Sequence, residues 1–165
     1  MKLQKTYKEI VLDNSVLSAF SKIGRLELLK NILADCRVCV AETVYREITF
    51  KDVLEAVVTD GRAGSWIYVE KADVSGLKDP SIDDGEAGTV MVALEKNALA
   101  VIDDLDGRRF AARHKVRVIG TLALLRRAYE KKIVTAEELA CILVDLETKD
   151  AFRMNEELKR WVLRK

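Results

Sequence analysis

The chain has 165 residues, 49% hydrophobic and 33% charged, with 28 Lys or Arg against 27 Asp or Glu and a formal net charge of +1. That length supports one domain with a sizeable core, the composition is globular rather than disordered, and a near-neutral total says nothing by itself about nucleic acid. No apolar run approaches the ~20 residues of a membrane helix, Met1-Lys2-Leu3-Gln4-Lys5 lacks the apolar region of a signal peptide, and three cysteines do not suit a disulfide framework, so a cytoplasmic protein with no membrane partner is expected.

The first strand candidate is residues 8–12, whose run Ile10-Val11-Leu12 stops at Asp13. An apolar run of this length followed by a helical pattern fits a buried parallel strand. Asp13-Asn14-Ser15 opens the helical stretch Val16–Leu33, so Asp13 also has a purely local reading as its N-cap. Residues 36–40 form the second strand candidate. Cys36 and Cys39 are three apart and would point to opposite faces of that strand, which argues against a shared tetrahedral zinc ion. The helical stretch Glu42–Val58 carries Glu47, locally no more than a solvated helix position.

A third strand candidate spans 66–70 and is followed by the one long break, around Ser75–Pro80. The acidic turn at 81–85 leads into a helix over Gly85–Glu95, where Glu86 is locally a first-turn acid favoured by the helix dipole. Residues 98–103 repeat the opening pattern, since Ala100-Val101-Ile102 stops at Asp103-Asp104; a helix over Asp106–Arg113 and a fifth strand at 116–119 follow. His114, the only histidine, sits among Arg113, Lys115 and Arg117 and is assigned to the surface rather than to catalysis. From Thr121 onward the pattern is helical, with a capping box at Thr135-x-x-Glu138 and an apolar stripe of Leu139, Ile142, Leu143 and Leu146.

This alternation implies an α/β fold: a central parallel sheet of about five strands, helices on both faces and a helical tail over about 121–165, in a single domain. Open parallel sheets gather ligands beyond the carboxyl ends of their strands, so two strands ending in acid aim Asp13 and Asp103-Asp104 at one crevice, with Glu47 and Glu86 placed to join them. Carboxylates suit Mg2+ or Mn2+, hard ions that retain water and leave room for a phosphate. Residues 105–132 hold nine Lys or Arg against two acids. Arg108, Arg109 and Arg113 are then either solvated helix faces or a positive rim that neutralises phosphates beside the acidic pocket.

The run Val11-Leu12-Asp13-Asn14-Ser15-Val16-Leu17, then Lys22–Leu29 and Val44-Tyr45-Arg46-Glu47-Ile48, resembles the amino-terminal half of a PIN-domain protein. Asp84-Gly85-Glu86-Ala87, Val101-Ile102-Asp103-Asp104 with Arg108 and Ala111, and Ile119-Gly120-Thr121-Leu122 resemble its second half. The combination is similar to a prokaryotic branch of predicted nucleic-acid-binding proteins related to toxins of VapC type. The resemblance implies a three-layer, Rossmann-like PIN fold and a ribonuclease dependent on Mg2+ or Mn2+, with an antitoxin as a possible partner. It places the catalytic and metal-binding acids at Asp13, Glu47, Glu86 and the pair Asp103-Asp104, of which Asp104 is favoured, and Ser15 and Thr121 as supporting polar groups. Ala41 stands where relatives often carry proline before the Glu-bearing helix.

Two other classes stay open. A non-catalytic RNA-binding or protein-interaction module could retain the fold, although repelling carboxylates in one pocket are costly unless a cation offsets them. A phosphatase of the haloacid dehalogenase type lacks its second Asp, since Ser15 stands two residues after Asp13; a receiver would carry its acid pair on the first strand rather than the fourth. Finally, Phe20, Leu26, Leu28, Leu29, Ile32, Val53, Leu54, Val57 and Val58 exceed what one sheet face requires and predict a homodimer through helical surfaces.

Overall fold

The computed structural model describes residues 7–58, 63–77 and 79–164. Five strands, β1 (Glu9–Leu12), β2 (Arg37–Ala41), β3 (Ile67–Glu70), β4 (Leu99–Val101) and β5 (Val118–Ile119), form one parallel sheet in the order β3-β2-β1-β4-β5. Ile10 registers with Val38 on one side and Leu99 on the other. Consecutive residues Ile10, Val11 and Leu12 are all buried, as are Val38 to Ala41. Burial without alternation requires cover on both faces, which explains why these strands are apolar runs rather than alternating ones.

The chain moves outward from β1 through β2 to β3, then crosses back to lay β4 on the other side of β1. The carboxyl ends of β1 and β4 therefore flank the switch point, the crevice where such sheets bind ligands. Helix α5 (Asp84–Lys96) makes the return crossing and packs against β1, β2, β4 and the following helix α6 (Leu105–Arg113). Among the described residues no helix is long and apolar enough to cross a membrane.

Two long predicted helices are each divided. Val16–Leu33 becomes α1 (Asn14–Lys22) and α2 (Leu26–Ile32), because Gly24 adopts φ +66 and the Arg25 amide bonds back to the Phe20 carbonyl at 2.8 Å. Such a left-handed glycine ends a helix. Glu42–Val58 becomes α3 (Glu42–Glu47) and α4 (Lys51–Ala56), with the β-branched pair Ile48-Thr49 at the break. The tail forms α7 (Thr121–Glu130), α8 (Ala136–Lys149) and α9 (Glu156–Leu163), and α8 opens on the Thr135–Glu138 capping box.

The apolar residues behind the predicted dimer lie in the core of one chain. Phe20, Leu29, Ile32, Val53 and Val57 are at most 2% exposed, and Leu26, Leu28 and Leu54 pack against them. Dividing the helices folds this apolar surface inward, which removes the basis for that expectation. Among the described residues the exposed large apolar side chains are instead Tyr68, Leu94, Leu105, Val144, Leu158 and Trp161, which are scattered over the chain.

Candidate functional site

Asp13 follows β1 directly, and its amide extends the ladder to the Val101 carbonyl at 3.1 Å. Its side chain caps α1, so the local reading is correct as far as it goes: Oδ2 accepts the Ser15 amide at 3.3 Å and the Ser15 hydroxyl at 2.7 Å. The carboxyl is only 5% exposed. Burial pushes its pKa up, against the Ser15 bonds, and the nearby Asp83 charge adds to the rise.

Asp103, past β4, is held in the same way from the next strand. Its Oδ1 accepts the Thr121 amide at 2.7 Å and its Oδ2 the Thr121 hydroxyl at 2.6 Å, which fastens the end of β4 to the start of α7. Burial raises its pKa; Thr121 and the Arg108 charge oppose this, and Asp13 adds to it. Asp13 and Asp103 thus face each other across the switch point. Asp104 differs from both. Its Oδ1 caps α6 by accepting the Asp106 amide at 2.8 Å and the Gly107 amide at 3.1 Å, and these bonds, Gly107 first, hold its pKa down.

Glu86 belongs to a capping box at the start of α5, where Asp83 accepts the Glu86 amide at 2.7 Å and Glu86 Oε2 accepts the Asp83 amide at 3.3 Å. Burial pushes its carboxyl up to about 7, helped by the Asp83 and Asp104 charges and by a hydrogen bond to Asp104. Glu47, at the end of α3, is raised by burial and then by Asp83, Asp13 and Asp84.

Three glycines make the space for these acids. A Cβ on Gly85 would lie 2.7 Å from Glu47 Oε2, one on Gly107 3.2 Å from Glu86 Oε1, and one on Gly120 2.8 Å from Asp103 Oδ1. Gly88 sits one turn beyond Gly85, and a Cβ there would lie 2.0 Å from Thr43 Oγ1 and 3.0 Å from the Ala41 Cβ. Gly85 and Gly88 on α5 thus receive Glu47 and Thr43, four residues apart on α3, and this close crossing carries Glu47 to the pocket. Ala41, the N-cap of α3, has φ −67, the angle proline would impose.

Sequence reasoning overlooked Asp83, whose charge acts on Asp13, Glu47 and Glu86, and the packing glycines. The signal for Asp83 is its place in the acidic turn directly ahead of the Asp84-Gly85-Glu86-Ala87 motif. The basic block does not form one rim. Arg108 approaches Asp103 and Gly120; Arg109 pairs with Asp106 at 3.3 Å within its own helix; Arg113 pairs with Asp79 and stacks on Phe110. Lys115 and Arg117 line a cavity at the amino ends of the strands. His114 packs on the Phe110 ring, with centroids 4.5 Å apart. The Cys36 thiol donates to the Tyr7 carbonyl at 3.3 Å and the Cys39 thiol to the Ile10 carbonyl at 3.5 Å.

Among the described residues, Asp13, Glu47, Glu86, Asp103 and Asp104 form no ion pair with Lys or Arg. Carboxylates that have no ion-pair partner, two of them buried (Asp13 and Glu86), fit a hard cation that keeps part of its water shell and takes one or two carboxylates directly. Among the described residues no three acids, histidines or cysteines gather tightly enough to enclose an ion, so the arrangement is an open one.

Fold and site together define a doubly wound α/β protein with an acidic pocket at its switch point. The family described as DUF3368, a PIN domain, matches residues 9–165, and the chain belongs to this PIN-domain family. Its fold is accordingly of nuclease type; PIN domains are generally nucleases and typically use divalent metals. Among solved structures the chain is similar to a PilT N-terminus domain protein, SSO1118, from the hyperthermophilic archaeon Sulfolobus solfataricus P2. That similarity has a TM-score of 0.53 at 18% identity and covers 74% of this chain and 94% of the other, a likeness of fold. No curated protein matches the chain.

Proposed function

We propose that this protein is a ribonuclease dependent on Mg2+ or Mn2+. The observation that carries the reading is the set of acids at the switch point, four of them held above their ordinary pKa and none neutralised by an ion pair among the described residues. Asp13, Glu47, Glu86 and Asp103 would hold the ion, with Asp104 tied more closely to its capping role. When bound, the cation supplies Lewis-acid polarisation of the phosphodiester and acidifies the attacking water.

The chain's own residues supply position. Ser15 orients Asp13 and Thr121 orients Asp103, each through an amide and a hydroxyl. Glu86, at the first turn of α5 beside Asp104, would offer its carboxylate to the cation. Arg108, whose charge acts on Asp103, would meet a phosphate of an RNA substrate. The open pocket is also where an antitoxin-like protein would act by covering the acids.

A second reading, an RNA-binding module without catalysis, draws on the open spacing of the acids among the described residues. One experiment separates the two: Mn2+ titration by calorimetry alongside cleavage of an RNA panel, with and without chelator. The expected result is saturable Mn2+ binding, cleavage abolished by chelator, and a loss of about 100-fold or more in Asp13→Asn, which removes a proposed metal ligand. RNA binding with no Mn2+ binding and no cleavage would establish the inert module.

A further inference from the structure

A separate cavity of about 620 Å3 lies at the other end of the sheet, at the amino ends of β1, β4 and β5. Its polar lining is Tyr7, Lys8, Glu9, Lys96, Asn97, Lys115 and Arg117. Tyr7 just precedes β1 and Arg117 just precedes β5, and β4 lies between those strands. The Arg117 Nη1 bond to the Tyr7 hydroxyl, 2.5 Å, therefore spans the amino end of β4 and walls the cavity on one side. The Arg117 cation also lies 5.6 Å from the Tyr7 ring centroid, and Tyr7 is anchored again by the Cys36 thiol on its carbonyl. On the opposite side Lys96 approaches Glu9 at 3.7 Å and Glu70 at 3.3 Å.

Charge here is unbalanced in the opposite sense to the acidic pocket. Lys96 and Glu9 belong to a charge network completed by Glu70 and Arg37, which leaves Lys8, Lys115 and Arg117 as the cations in excess, and the Lys8 and Lys115 side chains have no hydrogen-bond or ion-pair partner among the described residues. Part of this charge answers the carbonyl ends of α5 and α6, which finish beside the cavity at Asn97 and His114. Two free lysines remain. Lys115 is moreover held at φ +58, a left-handed conformation unusual for a residue of its kind. The Oε2 atom of Glu9 points the other way chemically: it is buried and accepts no hydrogen bond, Lys96 being too distant to donate. An orphaned buried acceptor calls for a donor. Leu94, 43% exposed, together with Ala93, Ala98 and Val116, adds an apolar surface.

A ligand that answers all three features carries negative charge, a hydroxyl or amino donor, and a flat apolar body. We propose that this cavity binds a nucleoside phosphate, either a free mononucleotide or the terminal nucleotide of an RNA strand. Lys8, Lys115 and Arg117 take the phosphate, the partly exposed Glu9 carboxylate accepts from a ribose hydroxyl or a base amino group, and the base lies against Leu94 and Val116. The cavity is within the range of about 300–1,000 Å3 typical of small-ligand sites.

The test is calorimetric titration of the full chain, in chelator so that the acidic pocket holds no metal, with adenosine 5′-monophosphate, inorganic phosphate, and a short RNA with and without a 5′-phosphate. Saturable binding of the mononucleotide is expected, at least about tenfold tighter than inorganic phosphate and about tenfold or more weaker in Lys8→Ala/Lys115→Ala. Glu9→Gln should narrow the gap between nucleotide and phosphate, because that variant changes only the acceptor that reads the nucleoside. Asp13→Asn should leave binding unchanged. Preference for the 5′-phosphorylated RNA over the mononucleotide would identify the RNA end as the source, and the reverse preference the free nucleotide. Because both lysines are unpartnered, the double variant should melt as the parent does. No saturable binding, equal affinity for phosphate and nucleotide, or binding indifferent to the lysines would overturn the proposal, without bearing on metal binding or cleavage at the other end.

Discussion

Two charged clusters occupy this sheet, and they are built from the same residue types to opposite effect. In the first, Glu9, Arg37, Glu70 and Lys96 meet in a mixed network: Arg37 lies 2.7 Å from Glu70 and 3.9 Å from Glu9, and Lys96 reaches both acids. Burial works against the charged forms, yet the contacts with Arg37 and Lys96 hold Glu70 below its ordinary pKa and the Glu70 contact holds Arg37 above its own. In the second, Asp13, Glu47, Glu86 and Asp103 share a pocket with no ion pair among the described residues and only the Arg108 charge nearby to oppose the rise at Asp103, and burial drives every one of them up. A network that closes its own charge balance supports the fold. One that leaves the balance open spends stability on a site, and something outside the chain must complete it.

The largest expected pH-dependent effect on stability is at Glu86. Its folded pKa, about 7, lies above the ordinary 4.5. The sign follows: its favourable contribution is complete below about pH 4.5 and is lost as pH rises through about 7. The full shift would correspond to ~3 kcal/mol, and solvent screening at the pocket mouth reduces this to about 1–2 kcal/mol. Glu86→Gln should therefore melt higher than the parent at pH 8 in chelator and about equally at pH 4.5, whereas Mg2+ should stabilise the parent more than the variant. A pH-independent difference would show that Glu86 is not part of an unbalanced cluster.

Next is the α3–α5 crossing that brings Glu47 to the pocket. Gly88→Ala puts a methyl group on Thr43 and Ala41 and should destabilise by about 1–3 kcal/mol, net of any gain in helix propensity, with Mn2+ affinity falling as α3 is displaced. Gly76→Ala, where a Cβ meets nothing within 4 Å, is the control and should change neither melting nor affinity. Equal melting of the two variants would dismiss the crossing as a constraint.

In the balanced network Glu70→Gln should cost about 1 kcal/mol or less, since Arg37 is partly exposed and its pair is screened. The sign is opposite to that at Glu86: the Glu70 contribution is present at neutral pH and is lost as pH falls through its depressed pKa, so parent and variant should converge in acid. Convergence at alkaline pH instead would reverse the contrast between the clusters.

The smallest change to the fold should come from Arg108→Ala. The expected outcome is unaltered melting, weaker RNA binding and a salt slope reduced by about 1, while Arg109→Ala and Arg113→Ala, whose cations already have acidic partners, change the slope less. Three equal slopes would restore the broad basic rim that the charge count suggested.

Local rules carried the reading of this chain a long way. Strands buried on both faces must be apolar runs, so the endings at Asp13 and Asp103-Asp104 were visible as a pattern, and the Thr135–Glu138 box and the order of motifs depend only on neighbours in sequence. The parallel sheet follows from the alternation of elements. What depends on approach between distant segments was hidden. Gly24 had to be seen in its left-handed conformation before one helix became two, and only the folded packing turned Phe20, Leu29 and Val53 from a supposed interface into core. Asp83 joined the pocket because α5 begins beside β1, Asp103 was distinguished from Asp104 by a hydroxyl eighteen residues away on α7, and the arginines divided between a site, a helix face and a loop. Periodicity records which face a residue occupies; the partner it meets there, and hence whether its charge is balanced, is set by the crossing of elements far apart in the chain.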